Sequence, residues 1–210
     1  MIDILSPVIA IAVSRVSAPE DENHPLFGVA LFEVGQYDTT EFRHRISVHV
    51  LPAGTSKGEV VEWLLKRLAA DWVAIGWRLA EFIIPTLLGA SEAAPPDLAN
   101  AFLDALAGAV TIDAVDLADE VDPAVFEQAF ARQGTPTESV SGAATAEMPT
   151  DERGKEHAVL LAKQAVAAWQ VWANAQRPED PNIDRLARDA LSQWHVGDET
   201  LKIWRAEQGE

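Results

Sequence analysis

The order of extended and helical segments is the feature that most restricts what this chain can fold into. Three extended segments, rich in β-branched and aromatic residues, come first at residues 8–16, 26–34 and 42–51. Helical and extended patterns follow them: a helix from residue 56, a strand at 72–77, helices at 83–89 and 95–108, a strand at 109–118 and a helix at 122–134. This order predicts an α/β protein with a mixed sheet, in which an antiparallel three-stranded meander precedes alternating helices and strands.

Local signals place several helix ends. Ser56 is followed three residues later by Glu59, which is the spacing of a capping box at a helix start. Pro85 is tolerated only in a first helical turn, so it predicts that the next helix begins near Ile83 or Ile84. Gly89 indicates where that helix ends, because glycine commonly terminates helices.

The C-terminal part of the chain divides into a loop, a helix and an extension. Residues 135–155 are small, polar and aperiodic, and they predict a mobile loop before a helix that starts near Glu156. We therefore expect one domain over residues 1–176 and a helical extension over 177–210. Trp194 and Trp204 lie in that extension, where they either dock it onto the domain or act as anchors for a protein partner.

Composition restricts the function classes. The net charge is −17, which disfavours nucleic-acid binding because that binding relies on Lys and Arg. Residues 90–156 hold 14 acidic and 3 basic side chains, either as a solvated face or as a surface for a partner. The chain has no cysteine and no apolar run near the roughly 20 residues that span a bilayer. A cytoplasmic location without membrane contact is therefore expected.

Four stretches carry a resemblance to a known family. They are "LFGVALFEVGQYDTTEFRHRISVHVLPAG", "VAIGWRLAEFIIPTLL", "VTIDAVDLA" and "HAVLLAKQAVAAW", in this order. The first looks like the second and third strands of the DEDD (DnaQ-like) 3'-5' exonucleases, and the others resemble successive motifs of that family. The resemblance covers residues 8–176 and implies a ribonuclease H-like fold.

The resemblance also implies where the family's metal-binding carboxylates would stand. The first strand's Asp and Glu fall on Ala12 and Ser14, and the last motif's Asp falls on Ala162. The second motif's Asn and Asp fall on Arg78 and Ile83. Mg²⁺ and Mn²⁺ need hard oxygen ligands, which methyl and sec-butyl groups do not provide. By this alignment we expect no catalytic acids, no metal and no cofactor.

Two residues at these motifs retain chemical interest. His157 fills the family's general-base histidine position, but a histidine near a helix start is more often a capping or surface residue, and here it has no metal-bound water to deprotonate. Arg78 is a binding candidate, because a cation in a cleft that has lost its acids would meet an anion or a partner's carboxylate. An ordinary ion pair is its alternative interpretation.

The sequence therefore predicts a catalytically inactive exonuclease-like protein that binds a protein partner or self-associates. One alternative is a divergent Mg²⁺- or Mn²⁺-dependent 3'-5' exonuclease with a rearranged site built from Asp113, Asp116, Glu81 or His157. Another alternative is an acidic inhibitor or nucleic-acid mimic that occupies a basic cleft on another protein, which predicts binding that weakens steeply with salt.

Overall fold

A computed structural model describes most of the chain between residues 8 and 175. The described ranges are 8–15, 26–36, 42–51, 56–68, 72–111, 113–132 and 151–175. Residues 135–150 of the loop predicted at 135–155 and the predicted extension at 177–210, with Trp194 and Trp204, lie outside them. Among the described residues, no helix combines the length and the apolar character needed to cross a membrane.

One five-stranded mixed sheet organises the protein. β1 (Val8–Arg15) pairs antiparallel with β2 (Leu26–Gln36), which pairs antiparallel with β3 (Phe42–Val50). On its other side β1 pairs in parallel with β4 (Val73–Gly76), and β4 pairs in parallel with β5 (Val115–Asp116). The strand order is β3-β2-β1-β4-β5. The predicted α/β class with a meander and a mixed sheet is confirmed.

Helices cover both faces of the sheet. One face packs against α1 (Lys57–Leu65), α2 (Ile84–Ser91) and α3 (Pro96–Ala109). Helices α5 (Pro123–Ala131) and α6 (Asp151–Ala175) cover the other face. The result is a three-layer arrangement in which the sheet is buried on both sides, as its nearly continuous apolar strands require.

Successive side chains of β1 point to opposite faces of the sheet, so they belong to two different hydrophobic cores. Ile9, Ile11 and Val13 pack on the side of α1 to α3, whereas Ala10 and Ala12 pack on the side of α6. Small residues on that second side let α6 lie close to the sheet. The position of Ala12 therefore faces α6.

The strand predicted at 109–118 and the start of the last helix differ from the sequence prediction. The strand predicted at 109–118 is only two residues long, because Asp116 ends it by capping the short helix α4 (Leu117–Glu120), whose Ala118 N–H donates to the Asp116 carboxylate at 3.0 Å. Helix α6 begins at Asp151, so residues 151–155 of the predicted loop are helical.

The helix around Pro85 is longer than its pattern indicates. α2 begins at Ile84, as Pro85 predicts, but a π-helical turn at Leu79–Ile83 precedes it. α2 continues to Ser91, so Gly89 lies inside the helix and does not end it. Ser56 caps α1 as predicted, because its Oγ accepts from the backbone N–H of Gly58 at 3.2 Å, but the Glu59 N–H donates to the Ser56 carbonyl oxygen at 3.0 Å and not to its side chain as in a capping box.

Candidate functional site

A cleft opens at the carboxyl ends of β1 and β4, the two parallel strands at the centre of the sheet. From β1 the chain leaves toward β2 on one side, and from β4 it leads toward β5 on the other. Crevices of this kind, where neighbouring parallel strands lead in opposite directions, are the usual binding sites of open α/β sheets. The space in the cleft is about 510 Å³, part of it continuous with solvent. We call it the β1/β4 cleft.

Apolar side chains form the floor and one wall of the β1/β4 cleft. Ile11, Ala12 and Val13 of β1 provide the floor, and Phe82 and Ile83 of the π-helical turn provide the wall. Ala12 and Ile83 therefore line the same cleft. By the resemblance, they stand where the exonucleases have the first acid and the acid of the second motif.

The opposite wall combines aromatic and polar side chains. Trp77 follows β4 and stacks on Phe126 of α5, with the ring centroids 4.4 Å apart and the planes 12° from parallel. Gln164 and Ala168 of α6 complete this wall. A flat aromatic surface thus lies close to a side-chain amide, which both donates and accepts hydrogen bonds.

Gly76, the last residue of β4, lets the π-helical turn approach the sheet. A Cβ at this position would lie 2.6 Å from Ile83 Cδ1 and 3.1 Å from the carbonyl oxygen of Ile11. Both distances are shorter than ordinary van der Waals contact. The absence of a side chain at residue 76 therefore sets the position of Ile83 beside β1.

Arg78 lies at the mouth of the cleft in a strained backbone conformation. Its φ of 59° makes it the only non-glycine residue with positive φ among those described, which typically costs about 1–3 kcal/mol. Its carbonyl accepts from the N–H groups of Phe82 and Ile83, at 2.9 and 3.1 Å, and so begins the π-helical turn. Its guanidinium pairs with Glu81 at 3.3 Å, so the predicted ion pair is present.

Asp116 fixes the other end of this arrangement. One carboxylate oxygen caps α4, and the second accepts from the backbone N–H of Ala80 in the π-helical turn at 2.8 Å. Asp116 therefore joins β5, α4 and the cleft wall through two backbone hydrogen bonds. Asp113, the neighbouring acid, is exposed in the turn before β5.

Ser14 and His157 form a hydrogen-bonded pair between β1 and α6. Ser14 Oγ and His157 Nε2 are 2.5 Å apart, with the donor set by the tautomer of the ring. Burial lowers the pKa of His157 to about 4, so the imidazole is neutral at pH 7. By the resemblance, Ser14 stands where the exonucleases have a Glu and His157 where they have the general base. These two positions are thus in direct contact.

The remaining candidate positions divide between the core and the surface. Ala162 is fully buried and belongs to the same apolar cluster as Ala12, between α6 and the sheet. His157 lies in the second turn of α6 and is half-buried, which differs from the expected capping or surface role. Glu81 is exposed whereas Ile83 is buried, so the two side chains point in different directions.

Sequence reasoning did not assign Trp77, Phe126 or Gln164 to a site. A signal exists for Gln164, which follows His157 by seven residues, or about two helical turns, in an otherwise apolar helix face. No comparable signal marks Phe126, because its contact with Trp77 joins elements that are distant in the chain.

Among the described residues, no group of three or more His, Asp or Glu side chains lies close enough to hold a metal ion. Comparison of the chain with models of protein families, with curated proteins and with solved structures finds no match.

Proposed function

We propose that this protein is a catalytically inactive relative of the DEDD 3'-5' exonucleases that acts as a protein-binding or assembly module. The observation that carries the proposal is the convergence of the motif positions. Ala12 and Ile83 line one cleft, Ser14 contacts the retained histidine, and Ala162 is packed in the same cluster as Ala12. The positions on β1, in the π-helical turn and at His157 thus lie near the carboxyl end of β1, whereas Ala162 and Ile83 belong to the cores on opposite faces of the sheet.

The topology supports the proposed relationship. An antiparallel meander that is extended by two parallel strands is the arrangement that a ribonuclease H-like fold implies. The cleft also lies beside β1, where the resemblance locates the first two acids. The two lines of support are independent, because strand order does not depend on the motif alignment.

The side chains at the motif positions favour an inactive site. Two methyl groups, a hydroxymethyl group and a sec-butyl group replace the four acids, and three of these residues are buried. Clustered carboxylates repel one another without a metal, so apolar residues at these places stabilise the fold. The retained histidine is hydrogen-bonded to Ser14, at a position where the family carries a carboxylate.

We expect the surface of this protein that contacts the partner to be acidic. Between residues 92 and 127, eight carboxylate side chains are exposed in the structure: Glu92, Asp97, Asp104, Asp113, Asp119, Glu120, Asp122 and Glu127. With a net charge of −17, two copies of this chain repel each other at such a surface. A separate protein that presents Lys and Arg is therefore favoured over self-association through this region.

The alternative of a divergent metal-dependent nuclease uses acids that have other contacts here. Both oxygens of Asp116 accept backbone N–H groups, and Glu81 pairs with Arg78 at the surface. These contacts favour structural roles for both residues. The exposed carboxylates favour the third alternative, an acidic inhibitor or nucleic-acid mimic, as a special case of the proposed binding module.

A nuclease assay on the full-length protein tests the inactive state. Labelled single-stranded DNA and RNA are incubated with the protein and Mg²⁺ or Mn²⁺, beside the Asp113→Ala and Asp116→Ala variants. The proposal expects no divalent-dependent shortening from the 3' end. Cleavage that is lost in the Asp113→Ala variant would instead establish the rearranged nuclease.

A binding assay tests the module itself. A candidate partner is titrated at increasing NaCl, with wild type and with a variant in which Asp119, Glu120 and Asp122 are replaced by Asn or Gln. The proposal expects weaker binding in the variant and a reduced dependence on salt. Equal affinity for the two proteins at every salt concentration would exclude this acidic region as the interface.

A further inference from the structure

The β1/β4 cleft has the composition of a small-molecule site. Pockets that bind small molecules are mostly apolar and contain a few polar groups. The cleft is open to solvent and is lined mainly by aliphatic and aromatic side chains. Its polar groups, among the described lining residues, are the guanidinium of Arg78 and the amide of Gln164.

The aromatic wall favours a planar ligand. Phe126 is buried and stacks on one face of the Trp77 indole, with the planes 12° from parallel, so it fixes the indole and leaves only the opposite indole face for a ligand. Trp77 is only half-buried, so part of its indole remains accessible to a bound molecule. Aromatic rings associate through offset stacking or edge contacts with such a surface, beyond the simple burial of apolar area.

Arg78 determines the charge of the ligand. It is the only charged residue among the described side chains that line the cleft, and its backbone is held in a left-handed conformation at the cleft mouth. Its pair with Glu81 is a single 3.3 Å contact between exposed side chains. Such pairs contribute little, so a ligand carboxylate that meets the guanidinium in a bidentate manner displaces Glu81 readily.

We propose that the β1/β4 cleft binds a small aromatic carboxylate, with its ring against Trp77 and its carboxylate paired with Arg78. The net charge of −17 repels anions in general, so binding of an acid in preference to its neutral analogue requires a local cation. The proposal does not rest on descent from a nuclease, because it uses only the shape and chemistry of the cleft.

A matched pair of ligands tests this proposal in the full-length protein. Indole-3-acetate and its neutral analogue indole-3-acetamide are titrated in 150 mM NaCl, with detection of tryptophan indole N–H signals by NMR. The Trp77 signal is assigned with a Trp77→Phe variant. We expect saturable displacement of that signal by the acid, with at least about tenfold higher affinity than for the amide, since hydrogen bonds between charged groups are the stronger ones.

Two variants locate the selectivity. Arg78→Asn removes the cation with a residue that tolerates the left-handed backbone, so it is expected to bind the acid and the amide equally. Arg132→Gln removes one exposed positive charge near the end of α5 and is expected to retain the preference. A Trp77 signal unaffected by either ligand would overturn the proposal. Equal affinities of the wild-type protein for the acid and the amide would also overturn it. So would an Arg132→Gln variant that loses the preference for the acid as fully as the Arg78→Asn variant does.

Discussion

The contact between Gly76 and Ile83 predicts that a single added methyl group disturbs the cleft wall. In a Gly76→Ala variant the new Cβ would lie 2.6 Å from Ile83 Cδ1 and 3.1 Å from the Ile11 carbonyl oxygen. Ile83 is 2% exposed, so its Cδ1 can move only by turning toward the β1/β4 cleft, and the Ile11 carbonyl oxygen belongs to the backbone of β1 and cannot turn away. Overpacking of a buried site typically costs about 1–3 kcal/mol, and we expect the free energy of unfolding to fall by this amount.

A second substitution separates the clash from other effects of the added methyl group. Ile83→Val removes Cδ1, and alone it is expected to cost about 0.5–1.5 kcal/mol, as such changes commonly do. In the double variant the shorter side chain leaves room for the alanine Cβ. The double variant should therefore be about 1 kcal/mol more stable than the sum of the two single changes predicts.

Urea unfolding, followed by far-UV circular dichroism, measures these free energies. Gly89→Ala is the control, because Gly89 lies inside α2, where alanine stabilises a helix by about 0.5–1 kcal/mol relative to glycine. If Gly76→Ala were as stable as wild type, or if the effects of Gly76→Ala and Ile83→Val simply added, the close approach of the π-helical turn to β4 would be refuted.

Two further predictions concern titration and capping. Burial lowers the pKa values of His49 and His157 to about 4, from about 6.5 in the unfolded chain, so each histidine stabilises the fold fully above pH 6.5 and loses that contribution as the pH falls toward 4. The stability difference between wild type and a His157→Gln variant should therefore shrink on acidification, by at most about 1.4 kcal/mol per pH unit, and a difference that grows below pH 6 would contradict the burial of this ring. Asp116→Ala removes the acceptor of two backbone N–H groups and should cost about 1–3 kcal/mol in thermal or urea unfolding, whereas Asp113→Ala should change stability by less than about 0.5 kcal/mol; equal effects would argue against the bridging role of Asp116.

The sequence patterns predicted most elements because those elements depend on local chemistry. The three meander strands follow from runs of β-branched residues, and α1 follows from the side-chain cap of Ser56 and its apolar periodicity. The start of α2 follows from the single constraint that Pro85 imposes. The α/β class with a mixed sheet was therefore accessible from the sequence, and its ribonuclease H-like identity stays a prediction.

The features that the sequence did not predict depend on contacts between distant residues. The π-helical turn is anchored by the bond from Ala80 N–H to Asp116, which is 36 residues further along the chain. The same carboxylate shortens β5 by starting α4. The cap of α4 is local, but the bond to Ala80 has no local sequence pattern, since an aspartate before a helix looks alike whether it accepts one N–H group or two.

The candidate site was predicted in part for the same reason. Arg78 and the motif positions Ala12 and Ile83 lie at the cleft, but its opposite wall of Trp77, Phe126 and Gln164 comes from elements that meet only in the folded protein. Tertiary packing thus decides which side chains accompany a motif.

Introduction of carboxylates at the four motif positions tests most directly whether this is an exonuclease fold without its acids. A variant with Ala12→Asp, Ser14→Glu, Ile83→Asp and Ala162→Asp is titrated with Mn²⁺ while its unfolding is followed, beside wild type and a variant with Asn or Gln at the same positions. The account predicts that Mn²⁺ stabilises the acid variant in a concentration-dependent manner, by about 2.7 kcal/mol at a hundredfold excess over Kd, and leaves the other two unchanged. If Mn²⁺ does not stabilise the acid variant, or stabilises the amide variant equally, these positions do not surround a former metal site.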